Sequence, residues 1–200
     1  SGADMAHDVL WDPFCGSGTI LMEAAAMGFY SIMGSDISEK AVEDTKKNIN
    51  WVKKGYDEMS LSLGVEDIRR MNPVAMENFK KDGVNVIVTE PYLGKPLRGN
   101  ESKQWIQRQT EELKTLYTDT FSVFQKILPK NSIVVYIMPT FRLQKEWISV
   151  DCISEIQKIG FVIMPFQTGA VETPRLAGLS LRYHRPTQHL ARDIWRFRKI

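Results

Sequence analysis

The sequence of 200 residues lacks the features that mark membrane-bound or secreted proteins. Its apolar run Ile133–Met138 has the length of a buried strand, whereas a membrane helix needs about 18 to 20 apolar residues. No charged-then-apolar signal region opens the chain. Two cysteines, Cys15 and Cys152, are too few for a disulfide framework and favour the reducing cytoplasm. We expect one domain over residues 1–200, because 43% hydrophobic content at this length supports one sizeable core.

The sequence also lacks a recognisable metal site. The three histidines, His7, His184 and His189, are not spaced as a ligand set with the cysteines. No Ser-His-Asp arrangement is indicated, and Cys15 reads as a small packing residue within a turn. We therefore expect neither a metal ion nor a covalent nucleophile.

Strand-like and helix-like segments alternate along the chain. Predicted helices begin near Thr19, Ser38, Lys103 and Ser149, and the second ends at Gly55. The predicted strands are Val9–Trp11, Tyr30–Gly34, Leu61–Val65, Val84–Val88, Ile133–Met138, Phe161–Phe166 and Leu179–Tyr183. This order predicts an α/β fold with a seven-stranded, mostly parallel sheet, helices on both faces and a C-terminal antiparallel strand pair. Ligands in such sheets bind beyond the carboxyl ends of the strands.

A glycine-rich turn, Asp12-Pro13-Phe14-Cys15-Gly16-Ser17-Gly18-Thr19, follows the first predicted strand. Gly16 and Gly18 let the backbone approach a ligand and turn into a helix. The turn lacks the lysine of a P-loop, and Leu21 stands where a dinucleotide loop has its third glycine. The Asp12 carboxylate would repel a pyrophosphate. The turn therefore favours a cofactor that carries an amine and no phosphate, a description that S-adenosylmethionine meets.

Two further acids follow the second and third predicted strands. Asp36 is placed to accept both hydroxyls of a ribose. Asp67 is placed to accept from the amine of adenine, with Ile68 packing on the ring. Each acid has a structural alternative, since Asp36 or Asp67 would also serve as the cap of the helix that follows it.

These motifs, with Thr89-Glu90-Pro91-Tyr92-Leu93-Gly94 after the fourth strand, resemble the class I S-adenosylmethionine-dependent methyltransferases. The closest likeness is to RNA methylases whose catalytic domain follows a THUMP RNA-binding domain, including tRNA guanine-N2 methyltransferases. The resemblance covers nearly the whole chain and implies a Rossmann-like fold. It also implies that residues 12–19 surround the methionine part of the cofactor, that Asp36 and Ile37 lie at the ribose, and that Asp67 and Ile68 bind adenine.

The turn after the fourth strand departs from the Asp/Asn-Pro-Pro-Tyr/Phe motif of amine methylases. In that motif a polar side chain and the next carbonyl accept hydrogen bonds from the amine, and an aromatic ring stacks on the base. Matching Pro91-Tyr92 to Pro-Tyr puts Thr89 at the acceptor position. Matching the flanking Thr and Gly instead puts Glu90 there, with Tyr92 or another ring stacking on the base. We prefer the second register, because it needs no gap and keeps a carboxylate at the acceptor.

The resemblance implies methyl transfer to an exocyclic base amine in RNA, and we expect guanine-N2 of tRNA. Glu90 and the Pro91 carbonyl would position the amine, and Tyr92 would bind or stack the base. Methylation of DNA adenine-N6 or of a protein glutamine amide uses the same amine geometry and stays an alternative. The unusual turn leaves a second alternative, a catalytically degenerate scaffold that binds cofactor or RNA.

The basic residues near the active turn and the C-terminus are candidates for RNA contact. The segment from Arg182 onward is either a solvated tail or a phosphate-contacting patch, and Trp195 and Phe197 favour a docked segment. The predicted RNA-contacting residues are Lys95, Arg98, Arg185, Arg192, Arg196 and Arg198. Family members have a cofactor-covering helix and often an RNA-binding domain upstream. We therefore expect this chain to be a fragment that works with such a domain or with a partner subunit.

Overall fold

The computed structural model describes residues 4–52, 59–166 and 179–200. Within them, nine strands form a single sheet. The strands are β1 Val9–Asp12, β2 Ser31–Asp36, β3 Ser60–Val65, β4 Val84–Thr89, β5 Ile133–Leu143, β6 Glu146–Ser149, β7 Phe161–Ile163, β8 Ser180–His184 and β9 Leu190–Lys199. The helices are α1 Thr19–Ala26, α2 Glu39–Val52, α3 Pro73–Lys81, α4 Lys103–Ile127 and α5 Ile153–Ile159. The predicted helix end at Gly55 lies outside the described residues.

The sheet runs in the order β3-β2-β1-β4-β5-β9-β7, with β6 beside β5 and β8 beside β9. Strands β1 to β5 are parallel, so the residues that end β1, β2, β3 and β4 lie at one edge of the sheet. We call this edge, marked by Asp12, Asp36, Val65 and Thr89, the carboxyl edge. Any ligand site that draws on several of these strands must lie here.

Each face of the sheet carries its own apolar core. One core joins α1 and α2 to β1 and β2 around Leu21, Ile32 and Ile49, which are almost fully buried. The other lies under α3, α4 and α5, where the Phe121 ring meets those of Tyr136, Phe161 and Phe197 at centroid distances of 5.0 to 5.1 Å. These two cores hold the sheet rigid behind the carboxyl edge.

The basic segment near the C-terminus is not a solvated tail, because it forms the end of strand β8 and strand β9 of the sheet. This agrees with the docked segment that Trp195 and Phe197 favoured. β9 pairs antiparallel with β5 on one side and with both β7 and β8 on the other. The antiparallel pair at the C-terminal end is therefore β8–β9, whereas the two predicted closing strands both pair with β9 and not with each other. The sheet has nine strands instead of the expected seven for this reason and because of β6.

Strand β6 belongs to a hairpin that the sequence did not signal. β5 runs on past Met138 to Leu143, and Leu143 pairs with Glu146 across a two-residue turn in which Gln144 has φ +56°. The predicted helix start at Ser149 is wrong, since Ser149 ends β6 and α5 begins at Ile153. The hairpin extends the sheet beyond the carboxyl edge, next to the turn that follows β4.

Candidate active site

A cleft of about 510 Å³ opens at the carboxyl edge. Its walls come from the segments that follow β1, β2, β3 and β4, together with one residue of α4. The lining residues are Pro13, Phe14, Asp36, Ile37, Glu66, Asp67, Ile68, Arg69, Glu90, Pro91, Tyr92 and Leu116. The fold thus brings the predicted cofactor-binding and catalytic segments together in one cleft.

Two side chains of α2 hold the glycine turn through hydrogen bonds to its backbone carbonyls. The Thr45 hydroxyl donates to the Gly16 carbonyl at 2.8 Å, and the Asn48 amide donates to the Ser17 carbonyl at 2.8 Å. Gly18 has φ +87°, and a Cβ there would lie 2.9 Å from the Thr45 methyl carbon. At Gly16 a Cβ would meet nothing within 4 Å, so the turn presents open space on that side.

Asp12 lies behind the cleft wall and is only 1% exposed. One oxygen, Oδ1, accepts from the Phe14 amide at 3.1 Å and from the Thr89 hydroxyl at 2.6 Å. Burial raises the pKa of Asp12 to about 7, although the Thr89 hydrogen bond works against this rise. Asp12 therefore joins the ends of β1 and β4 and is not part of the cleft lining.

Cys15 is buried against α2, with its sulfur 3.7 Å from the Thr45 hydroxyl oxygen. Burial raises the pKa of the Cys15 thiol to about 11, so the thiolate that nucleophilic chemistry needs is scarce near neutral pH. Its position matches the packing role that the sequence suggested.

Asp36 is held in place by two backbone groups. Its carboxylate accepts from the Gly16 amide at 3.0 Å and from the Ser38 amide at 2.9 Å. The capping of α2 falls instead to Ser38, whose hydroxyl accepts from the Ala41 amide at 3.3 Å. Asp36 thus ties the glycine turn to the start of α2 and still lines the cleft, where a carboxylate has further lone pairs to offer.

Asp67 has the capping role considered for it and also lies at the cleft. It caps a short 3₁₀ turn, Ile68–Arg70, by accepting from the Arg69 amide at 3.1 Å, and the Arg69 guanidinium contacts it at 3.3 Å. Burial pushes the pKa of Asp67 upward, but the hydrogen bonds and charges of Arg69 and Arg70 outweigh it and lower the pKa. Asp67 also lines the cleft, and Ile68 beside it is 3% exposed.

The turn after β4 separates the two residues that compete for the acceptor position. Thr89 is fully buried, and its hydroxyl is committed to Asp12. Glu90 lines the cleft, and both of its carboxylate oxygens accept from the Arg192 guanidinium. Tyr92 is 52% exposed, while its carbonyl accepts from the Tyr117 hydroxyl at 2.9 Å. Of the two residues that compete for the acceptor position, the one at the cleft is therefore Glu90.

Lys95 and Arg98 follow this turn in an exposed loop. The loop is tied at both ends, because the Lys95 amide donates to Gln109 at 3.0 Å and the Gly99 amide donates to Glu101 at 2.9 Å. Positive φ angles occur at Gly94, +97°, and Gly99, +92°. The two cations thus stand on an ordered loop beside the cleft.

The predicted arginines of the C-terminal segment are distributed along the sheet. Arg185 is exposed and donates to the Tyr183 hydroxyl, whereas Arg196 donates to the Pro165 carbonyl at 2.7 Å. Arg198 pairs in register with Ile133, which begins β5, so it lies at the opposite edge of the sheet. Six extended residues, about 20 Å, separate it from Arg192. Of the three β9 arginines, Arg192 is the one that contacts a residue of the cleft lining, Glu90.

Three lining residues were not predicted. Glu66 and Arg69 lie within two residues of Asp67 in the sequence, so the prediction of Asp67 could have been extended to them. Leu116 comes from the apolar stripe of α4, where nothing local distinguishes it from a core residue. Four acids line the cleft, Asp36, Glu66, Asp67 and Glu90. Arg69 pairs with Asp67, and Arg192, which is outside the lining, pairs with Glu90. No cluster of residues able to hold a metal ion, and no helix long and apolar enough to cross a membrane, occurs in the described part of the chain.

The comparison with known families agrees with this geometry. The chain belongs to the family of RMKL-like methyltransferase domains (UPF0020), whose family model matches residues 3–166. The chain is 34% identical over 89 residues to the tRNA (guanine(10)-N2)-dimethyltransferase of Methanothermobacter thermautotrophicus, a match to 44% of this chain and 23% of that protein. A second relative, from Methanothermococcus thermolithotrophicus, is named "Probable tRNA (guanine(10)-N2)-dimethyltransferase" and is 36% identical over 91 residues. That match covers 44% of this chain and 51% of the relative, so the chain spans at most about half of either protein.

The fold has the same architecture as solved methyltransferases. Magnesium protoporphyrin IX methyltransferase from Synechocystis PCC 6803, determined with bound S-adenosylmethionine, aligns with a TM-score of 0.56 at 16% identity. The alignment covers 98% of this chain and 72% of that one. The sheet is thus the Rossmann-like sheet of methyltransferases.

Proposed function

We propose that this chain is the catalytic domain of an S-adenosylmethionine-dependent RNA methyltransferase that methylates guanine-N2 of tRNA, in the cytoplasm. The observation that carries the proposal is the position of Glu90. It places a carboxylate just past β4, in the same cleft as Asp36 and Asp67. The family of the chain and the names of its two relatives agree with this choice of reaction and substrate.

The cleft has the chemistry that S-adenosylmethionine needs. The acids of the cleft favour a ligand with an amine and a positive sulfur and disfavour a pyrophosphate, although Arg69 pairs with Asp67 and Arg192 pairs with Glu90. Asp36 offers its free lone pairs to ribose hydroxyls, while Asp67 and Ile68 supply an acceptor and an apolar surface for adenine. The turn Pro13–Thr19 leaves open space at Gly16 for the methionine part, and Asp12 supports that turn from behind.

When bound, S-adenosylmethionine would supply a methyl group on a positively charged sulfur, which would leave as a neutral thioether when the amine nitrogen takes the methyl group and gives up one proton to water. The protein contributes placement. Glu90 and the Pro91 carbonyl accept the hydrogens of the exocyclic amine, which turns the nitrogen lone pair toward the cofactor side of the cleft. The exposed ring of Tyr92 offers a surface for the base.

The RNA must present an unstacked base to this cleft, at a cost of a few kcal/mol in a duplex. Lys95, Arg98 and Arg185 are exposed cations near the carboxyl edge, where they are placed to contact phosphates. We infer that an RNA-binding domain or a partner subunit supplies further affinity for the RNA.

The test is transfer of a labelled methyl group to in vitro transcribed tRNA, followed by digestion to nucleosides. We expect label in N2-methylguanosine or its dimethyl form, and a loss of about 100-fold or more in Glu90→Gln. Glu43→Gln, an exposed acid on α2, is the matched control and keeps the wild-type rate. Label in DNA or protein in place of tRNA would overturn the RNA assignment. Wild-type transfer by Glu90→Gln would overturn the role of Glu90.

A further inference from the structure

The Glu90 carboxylate and the Arg192 guanidinium form a two-point ion pair, although 102 positions separate them in the chain. Arg192 Nε donates to Oε2 at 3.0 Å, and Nη2 donates to Oε1 at 3.2 Å. Glu90 follows β4 and Arg192 lies on β9, with β5 between them. Two strand spacings, about 10 Å, are thus bridged by the two side chains.

The length of the glutamate fits this span. The related motif has aspartate at the acceptor position, which is shorter by one carbon–carbon bond, about 1.5 Å. An aspartate at position 90 would withdraw the carboxylate from Arg192 and break contacts that now measure 3.0 and 3.2 Å. The residue opposite Arg192 on β5 is Pro139, which lies past the end of the β4–β5 ladder. The ion pair therefore forms beyond the paired part of β4 and β5.

The pair leaves the carboxylate able to act on a ligand. A carboxylate has about four lone-pair sites, and a two-point contact with arginine uses two of them. The side chains are 36% and 30% exposed, so the free sites face accessible space at the cleft. A two-point contact also restricts rotation of the carboxylate, which a single hydrogen bond does not do.

We propose that Arg192 is a positioning residue that holds the Glu90 carboxylate at the angle needed to receive the acceptor amine. This inference rests on the proposed function. It replaces the prediction of an RNA contact at Arg192, because both donor positions that face Glu90 are already committed to its carboxylate. The role of Arg192 passes through Glu90, and Arg192 itself does not touch the substrate.

The test compares Arg192→Gln with wild type in single-turnover methylation of in vitro transcribed tRNA at saturating RNA and cofactor. We expect the rate constant to fall roughly 10- to 100-fold, while the Kd for tRNA and for S-adenosylhomocysteine changes less than about twofold. Arg192→Lys, which keeps the charge and loses the two-point contact, should recover part of the rate. Lys46→Gln, which removes an exposed cation on α2 outside the cleft, is the control and should keep the wild-type rate.

A second arm places Arg192→Gln in the Glu90→Gln background. If Arg192 acts through Glu90, the second substitution lowers the residual rate less than about twofold there. An equal loss in both backgrounds, or weaker tRNA binding with the rate constant intact, would overturn the positioning role. Wild-type chain that methylates no tRNA would refute the proposed function, and this inference with it. An active wild type with a fully active Arg192→Gln refutes only the inference.

Discussion

The Thr89 hydroxyl donates a hydrogen bond to Oδ1 of Asp12 over 2.6 Å, which joins the end of β4 to the end of β1. Both side chains are buried, and neither lines the cleft. Asp12 therefore links the glycine turn to the turn that carries Glu90. Because burial raises the pKa of Asp12 to about 7, its carboxyl group is protonated below about pH 7.

We expect Asp12→Asn to change how stability depends on pH. The pKa of Asp12 is about 7 in the folded chain and about 3.9 when unfolded, so its favourable contribution is complete below pH 4 and is lost as pH rises through 7. Asparagine keeps an acceptor for Thr89 without the charge. The variant should match wild type near pH 4 and exceed it by roughly 1 to 4 kcal/mol at pH 8, measured by urea unfolding.

Glu77→Gln is the control for this measurement. Its pairing with Lys80 lowers the pKa of Glu77, so any effect of the substitution has the opposite sign and appears as pH rises above 4. A constant stability difference between Asp12→Asn and wild type from pH 4 to pH 8 would contradict the raised pKa.

We expect Gly34→Ala to destabilise the sheet at β2. A Cβ there would lie 2.5 Å from Leu21 Cδ1 and 2.9 Å from Leu63 Cδ2, and Leu21 is fully buried. Overpacking of this kind costs about 1 to 3 kcal/mol. In Gly64→Ala the nearest atom is 3.9 Å away, so thermal unfolding should show a change within about 0.5 kcal/mol. Equal effects at the two positions would argue against the tight packing at Gly34.

We expect Asp36→Asn to weaken cofactor binding. The substitution removes the charge and turns an amide donor toward the Gly16 or Ser38 amide, both of which donate to Asp36. Calorimetry with S-adenosylhomocysteine should show a Kd about 10-fold higher or more. Asp44→Asn, an acid on α2 paired with Lys40, should bind as wild type. Unchanged binding by Asp36→Asn would show that Asp36 only ties the glycine turn to the start of α2 and does not bind the cofactor.

We expect Arg182→Met to be more damaging than the double variant Arg182→Met/Asp193→Asn. Arg182 donates twice to Asp193 at 2.7 Å, and Asp193 is 2% exposed, so the single variant leaves an unpaired buried carboxylate. Such a loss costs about 3 to 5 kcal/mol, and removal of the charge restores part of it. Chemical denaturation would measure both. A double variant less stable than the single one would contradict this account.

The sequence was sufficient for the parallel half of the fold, because each of the strands β1 to β5 contains apolar residues that alternate along the chain with helix-like segments. It was not sufficient for β9. The buried face of β9 contains Asp193, and its other face contains Ile194, so the alternation of apolar and polar residues is blurred. The charge at Asp193 is tolerated only because Arg182 of β8 neutralises it, and local sequence carries no sign of that pairing.

The β5–β6 hairpin was missed for a related reason. Two-residue hairpin turns favour Asn-Gly or Asp-Gly because they need positive φ angles, and here Gln144 and Lys145 occupy the turn. In the candidate site, the acids after β2, β3 and β4 were found from their positions at strand ends. The pairing of Glu90 with Arg192 could not be predicted, because Arg192 comes close to Glu90 only when β9 inserts beside β5.

Strand β9 also sets an order of events during synthesis. Domains begin to fold from the N-terminus while the chain is still being made. Until residues 190–199 leave the ribosome, β5 has an open edge, and β7 lacks the strand with which it pairs in the described structure. The Glu90 carboxylate likewise lacks its ion-pair partner until Arg192 has emerged. On the proposed function, a nascent chain therefore carries Asp36, Asp67 and Glu90 before the contact that positions Glu90, and the full rate of methyl transfer should appear only after β9 has joined the sheet.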